Sequence, residues 1–361
     1  MKKLPVALTL FLALILILSS VGCGSQSASA PPAVTPTSKV PSTGLAATPT
    51  RTPVHATEST PTPTAPPVST WSAMDSGAGA ELTSVWGSSP SDVFAVGMYG
   101  DILHYDGSAW SSMNNPTADE YVELTSVWGS SSVDVFTVGY NTTIDSPGYG
   151  YSYILHYDGS AWSSMSGTAQ MLSGVWGSSP SDVFAVGEGG TILHYNGSAW
   201  SAMSSSATNF LLGVWGSSPS DVFAVGNGTI LHYDGRSWRA MSSGTTNWLR
   251  GVWGSSPSNV FAVGEGGTIL HYDGRSWSAM SSSTGTDLYG VWGSSPSNVF
   301  AVGGMFETNN GTILHYNGSA WSAMSSGTTN FVYGVWGSSS SNVFAVGYDR
   351  STNGWGIILH Y

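Results

Sequence analysis

Seven histidines, His104, His156, His194, His232, His271, His315 and His360, stand in one recurring phrase, Ile-Leu-His-Tyr. Imidazole ligates metals and moves protons near neutral pH, so such a set invites a metal or an acid–base reading. The repetition argues against both. A phrase written once per structural unit distributes its histidines one per unit, where they cannot converge on one ion. The expected role is packing between units with a ring nitrogen bonded locally, and no metal and no cofactor is expected.

The carboxylates that recur behave in the same way. The position after His-Tyr is Asp106, Asp158, Asp234 and Asp273 but Asn196 and Asn317 in two other copies. The position before Val-Phe is Asp92, Asp134, Asp182 and Asp221, then Asn259, Asn298 and Asn342. An amide caps a turn as well as a carboxylate does, but it cannot serve as a general base or supply the charge of a calcium ligand. The carboxylates outside the repeated phrases, Glu120, Glu123, Asp145 and Glu307, are those that could form the acid pair of an extracellular hydrolase or lyase. No phosphate-binding glycine loop or nucleophile motif is present, because the glycines fall at repeated turns. Catalytic residues are therefore expected to be none, with the enzyme kept as an alternative.

The elements that position these residues follow from the repeat. Close copies of Val-Trp-Gly-Ser-Ser-Pro-Ser-Asp-Val-Phe-Ala-Val-Gly begin at Val85, Val127, Val175, Val214, Val252, Val291 and Val335, 38 to 48 residues apart. That period indicates a solenoid or a propeller. Each copy holds four short apolar or alternating runs, such as LRGVW, NVFAV, TILHY and SWSAM from Leu249 onward, separated by Pro, Gly-rich and Asp-Gly turns. The Val-Phe-Ala-Val run lacks polar alternation, as a strand covered on both faces does. The fold class is thus all-β, a seven-bladed β-propeller of four-stranded antiparallel blades. The domain starts at Trp71 on a fourth strand and stops at Tyr361 on a third, so pairing the N-terminal strand with the last blade should close the ring.

The run VFAVGGMFETNNGTILHYNGSAWSAM, from Val299, resembles a kelch-type repeat, and GTILHYDGRSW resembles the bacterial neuraminidase repeat and the related repeats of photosystem II assembly factors. These resemblances cover about four-fifths of the chain and imply the propeller fold. The kelch-type galactose oxidase centre needs a cysteine, and the chain has a single one, Cys23, before the propeller. A sialidase needs converging arginines; the five here, Arg236, Arg239, Arg250, Arg275 and Arg350, are spread over several copies.

Residues 1–23 resemble a bacterial lipoprotein signal: Lys2 and Lys3, an apolar run from Leu4 to Leu18, then small residues before Cys23, the expected lipidation site. Residues 24–70 hold ten prolines among Ser, Thr and Ala, too few large apolar groups to offset the entropy of ordering, and read as a disordered tether. The expected localisation is exported, anchored to the outer side of a bacterial membrane, with the propeller at 71–361. From residue 71 the chain has 20 Asp and Glu against five Arg and no Lys, which makes nucleic acid a poor partner and leaves the lipid anchor as the only membrane contact.

If the invariant parts are scaffold, function is sought where copies differ. The turns between second and third strands and the blade links emerge on one rim, and every substantial insertion falls there. The insertions lie on blades six, seven and two and on the link between one and two, a contiguous arc. Its aromatic residues, Tyr99, Tyr121, Tyr140, Tyr149, Tyr151, Tyr153, Phe306, Tyr348 and Trp355, are the expected ligand-binding set, suited to sugar stacking or to a protein hot spot. Trp248 and Phe210, in other links, either extend that surface or cap the core. The expected function is a tethered, monomeric, non-catalytic module that binds carbohydrate or an extracellular protein; an extracellular enzyme or an assembly scaffold are the alternatives.

Overall fold

The computed structural model describes residues 70–118, 121–142, 152–168, 170–305, 310–326, 331–349 and 355–361. Its strands form seven four-stranded antiparallel sheets, as the repeat predicts. Blade one consists of Leu82–Ser89, Asp92–Gly97, Ile102–Tyr105 and Trp110–Ser112, paired in that order. Blades two to six repeat it with first strands beginning at Val122, Leu172, Leu211, Leu249 and Leu288. Each first strand touches the first strands of both neighbouring blades, and the cycle closes from blade seven to blade one. The first strands are therefore the inner ring about the axis.

Blade seven is made from both chain ends. Phe331–Ser339, Asn342–Asp349 and Trp355–His360 supply three strands, and Ser72–Met74 pairs as the fourth, with Ser72 opposite His360 and Met74 opposite Ile358. Trp71 then takes the place that a fourth-strand Trp takes elsewhere. It stands edge-on to Phe300 of blade six at 6.2 Å, as Trp162 of blade two does to Phe94 of blade one at 6.3 Å. The N-terminal strand closes the ring with the same contacts that join every other pair of blades.

The recurrent Val-Trp-Gly is an interblade latch. In all seven blades the Trp ring lies against the Gly of the next: a Cβ on Gly129 would come 2.6 Å from the ring of Trp86, and one on Gly87 would come 2.7 Å from Trp336. Only glycine admits that approach. The Val-Phe-Ala-Val strands are buried end to end, which matches a strand covered on both faces.

Six of the seven histidines are hydrogen-bonded within their own blades. Nε2 of His104 lies 2.7 Å from Oδ1 of Asp92, and His156, His194 and His232 repeat the contact with Asp134, Asp182 and Asp221. His271 meets Asn259 at 2.7 Å, and His360 meets Asn342 at 3.0 Å. His315 lies over Phe300, 4.9 Å between centroids. Ser88 Oγ donates to the other oxygen of Asp92, not to His104, so the Ser-Asp-His set lacks the order of a nucleophile relay. The turn acids behave as caps. Asp106 Oδ1 accepts from Ser108 N, Ser108 Oγ and Ala109 N, and Asn196 Oδ1 accepts the same three bonds in its own turn.

Candidate functional site at the axial rim

Every first strand carries a β-bulge one residue past the position equivalent to Leu82. In blade one the pairing runs from Leu82 opposite Gly97 to Ser84 opposite Val96, and Thr83 is the extra residue. The same shift recurs in all seven blades, and the bulged residues are Thr83, Thr125, Ser173, Leu212, Arg250, Tyr289 and Tyr333. A bulge leaves one residue outside the ladder and re-aims its side chain. Here it falls on the innermost strand, at the end where the blade links arrive, and it falls on a position where an otherwise uniform repeat varies. Gly97 is required by the same geometry, since a Cβ there would overlap the carbonyl of Glu81.

The residues just before the inner strands' conserved apolar position form a second ring at that end: Glu81, Glu123, Met171, Phe210, Trp248, Asp287 and Phe331. The turns of the preceding blades close against them. Met98 bridges to Glu123, and Asn227 bridges to Trp248. This rim therefore holds the second-to-third-strand turns, the blade links and the variable positions together.

From blade five round to blade two the two rings make one polar network. Arg250 Nη2 donates to Asp287 Oδ2 at 3.1 Å, and its guanidinium lies 4.8 Å from the centre of the Tyr289 ring. Asp287 Oδ1 accepts from the backbone of Gly266. Tyr289 meets Tyr333 edge to face at 5.1 Å, and Tyr333 is hydrogen-bonded to Glu81. Glu81 is electrostatically coupled to Glu123, whose Oε2 accepts from the Tyr140 hydroxyl at 3.0 Å. Over blades three to five the rim changes character: Met171, then Phe210 and Trp248, whose rings are 6.2 Å apart, all partly accessible.

Two features make the polar arc unusual. Burial pushes Glu81 up to about 8, with Glu123 adding to the shift and the Tyr333 hydrogen bond opposing it; burial likewise pushes Glu123 up to about 7, against the Tyr140 hydrogen bond. Both side chains keep some accessible surface, but it opens at the axial rim, enclosed by several blades. The second feature is Arg250. Its side chain is 9% exposed, and its Nε has no partner among the described residues. A protonated carboxyl can donate, an ionised one accepts, and an orphaned guanidinium N–H seeks an oxygen. Two open hollows of about 350 Å³ lie elsewhere, one lined by Gly189, Ile192 and Met203, the other by Met74, Asp75 and Trp110; neither brings two ionisable groups together.

The expected aromatic set is dispersed by the fold. Tyr140 is buried and its hydroxyl is committed to Glu123. Tyr153 packs on the hydrophobic cluster between blades one and two, with its hydroxyl 3.4 Å from Asn141 Nδ2. Tyr99 has a positive φ of 58° in the second turn of blade one. Tyr121 and Trp355 are exposed, at 41% and 57%, and Tyr348 pairs opposite Phe331 and Gly356. Tyr149, Tyr151 and Phe306 lie outside the described residues, as do Glu120, Asp145, Glu307, Cys23, the signal at 1–23 and all of the 24–70 tether except its last residue. Of the candidate acids Glu123 alone is described, and its partner Glu81 is one that the sequence reading passed over. The signal that could have found the network was the second position of Leu-x-Gly-Val-Trp, where x runs through Thr, Ser, Leu, Arg and Tyr.

No protein-family model matches the chain, and no curated protein matches it. Solved structures do. The chain is similar to YCF48 bound to D1 peptide (TM-score 0.62, 17% identity, 81% of this chain and 96% of that one). It is similar to YCF48 from Cyanidioschyzon merolae (TM-score 0.62, 14% identity, 81% and 98%) and to the WD40 β-propeller domain of Doa1 (TM-score 0.61, 12% identity, 80% and 95%). At these identities the likeness is one of fold: the chain is a seven-bladed β-propeller.

Proposed function

We propose that the chain is a non-catalytic binding module that holds an extended segment of a partner protein across the axial rim, between the polar arc at Arg250, Tyr289, Tyr333, Glu81 and Glu123 and the apolar arc at Met171, Phe210 and Trp248. The main support is the bulged position, which presents five kinds of side chain over seven blades on an otherwise uniform frame. An extended peptide offers carbonyl oxygens to the Arg250 guanidinium, N–H groups to Asp287, and side chains to the apolar arc. A neighbour of the same fold has been solved with a peptide, which makes this ligand class reasonable for the architecture. The lipoprotein-type signal and the tether would hold the module outside the cytoplasm, within reach of exported partners.

A hydrolytic role draws on the Glu81 and Glu123 pair. Acid–base catalysis needs two carboxyl groups whose environments push their pKa values apart, one protonated and one ionised. Here the same burial raises both, to about 8 and about 7, which suits a binding network better than a divided acid–base pair.

The test is a selection from a displayed peptide library on the purified protein, run beside a glycan array. Enriched peptides that bind the wild type and lose affinity for Arg250→Ala support the reading. Glycan binding without peptide enrichment overturns it in favour of a lectin.

A further inference from the structure

Away from the rim, each of the seven interblade aromatic clusters contains one fourth-strand Trp and, packed against it, one Met from the end of the preceding blade's fourth strand. Trp162 shows the contact: its Nε1–H donates to Met113 Sδ at 3.5 Å. In the other six the indole N–H of Trp71, Trp110, Trp200, Trp238, Trp277 and Trp321 is buried and has no partner among the described residues. A thioether is a weak acceptor, and a buried donor left unpaired is costly. All seven methionines, unlike the core they pack on, keep partial access to solvent.

We propose that these seven methionines are oxidation sites for hydrogen peroxide or small hydroperoxides, converted to sulfoxides without loss of the fold because the new oxygen accepts the indole N–H that the thioether leaves poorly satisfied. The sulfur lone pair attacks the terminal peroxide oxygen, the O–O bond breaks, and a proton transfer releases water from hydrogen peroxide or the corresponding alcohol from an alkyl hydroperoxide. Sulfur is oxidised by two electrons and the peroxide is reduced by two, so no further reactant is needed. Methionine oxidation ordinarily disrupts a core by placing a polar oxygen among apolar groups. Here an unpaired buried donor waits in six of the seven clusters, and in the seventh the indole already bonds to the sulfur itself. Because a sulfoxide is chiral, one epimer alone directs its oxygen at the indole, and that epimer should predominate. With no cysteine in the propeller, the thioethers are its only oxidisable sulfur, and seven sites per chain would consume seven equivalents of peroxide.

The test is titration of the purified protein with dilute hydrogen peroxide, followed by peptide mass mapping, thermal unfolding and NMR of the tryptophan indole N–H groups. Oxygen uptake at Met74, Met113, Met165, Met203, Met241, Met280 and Met324, an unchanged or higher Tm, and downfield movement of the indole protons support the proposal. Resistance of these seven to oxidation, or a fall in Tm of more than about 4 °C once they are oxidised, overturns it. In Trp162→Phe, which lacks the donor, oxidation of Met113 should lower Tm more than it does in the wild type. Equal responses, or unmoved indole protons in the oxidised wild type, also overturn it.

Discussion

The indole of Trp86 lies so close over Gly129 of the next blade that a Cβ on that glycine would stand 2.6 Å from the ring. The contact is one of seven that join the blades, and it explains why Val-Trp-Gly is the least varied phrase in the chain. Gly129→Ala forces the ring or the strand to move. Overpacking of this kind costs about 1–3 kcal/mol. Equilibrium denaturation should show that loss, and an unchanged midpoint would mean that the latch yields freely.

Ring closure rests on Trp71, which is 5% exposed and meets Phe300 and Tyr361 at 6.2 and 5.3 Å. Trp71→Ala removes the closing aromatic group. A loss of about 3–5 kcal/mol is expected, the range for truncating a buried Trp. Stability indistinguishable from wild type would show that the N-terminal strand contributes little to closure.

The last three histidines set an acid limit. Burial lowers the pKa of His271, His315 and His360, and the residues at the partner position in these blades are Asn259, Asn298 and Asn342. A His whose folded pKa is depressed favours the neutral form, so its contribution is present above the unfolded value near 6.5 and is lost as pH falls below it. Asn259→Asp places a carboxylate against His271, raises its pKa and should reduce the fall in Tm between about pH 7 and pH 5. An unaltered acid limb in thermal scans would contradict this.

The axial carboxyls set a limit on the other side. The folded pKa values of Glu81 and Glu123, about 8 and about 7, stand above the ordinary carboxyl value, so the fold favours their protonated forms. Their contribution is full below the unfolded pKa, near 4.3, and is lost as pH rises through about 7 to 8. Glu81→Gln keeps the shape and removes the titration. Its Tm should fall less than that of the wild type between about pH 6 and pH 9, and parallel curves would show that Glu81 does not titrate in this way.

The scaffold was legible in the sequence because each of its contacts is written seven times. The strand count, the ring closure at Trp71 and the local bonding of the histidines followed from periodicity and from Asp-to-Asn exchange between copies. The axial network was not legible, because Arg250, Tyr289, Tyr333 and Glu81 are each unremarkable in their own repeat. They become a network only when a bulge puts one residue per blade on the inner ring and closure brings blade seven against blade one. Tyr140 illustrates the converse: its place on an inserted segment suggested a surface aromatic, but the extended strand Asp134–Asn141 carries it inward to Glu123.

The most direct test of a peptide site at the axial rim is fluorescence anisotropy of one library-selected peptide against the wild type, Arg250→Ala and Trp355→Ala. Arg250→Ala should weaken binding by about 10-fold or more, as expected when a buried charge-assisted hydrogen bond is removed, while Trp355→Ala, at the exposed start of the last strand, should leave Kd within about twofold. Full affinity in Arg250→Ala together with loss in Trp355→Ala would contradict the axial site and place recognition on the inserted loops.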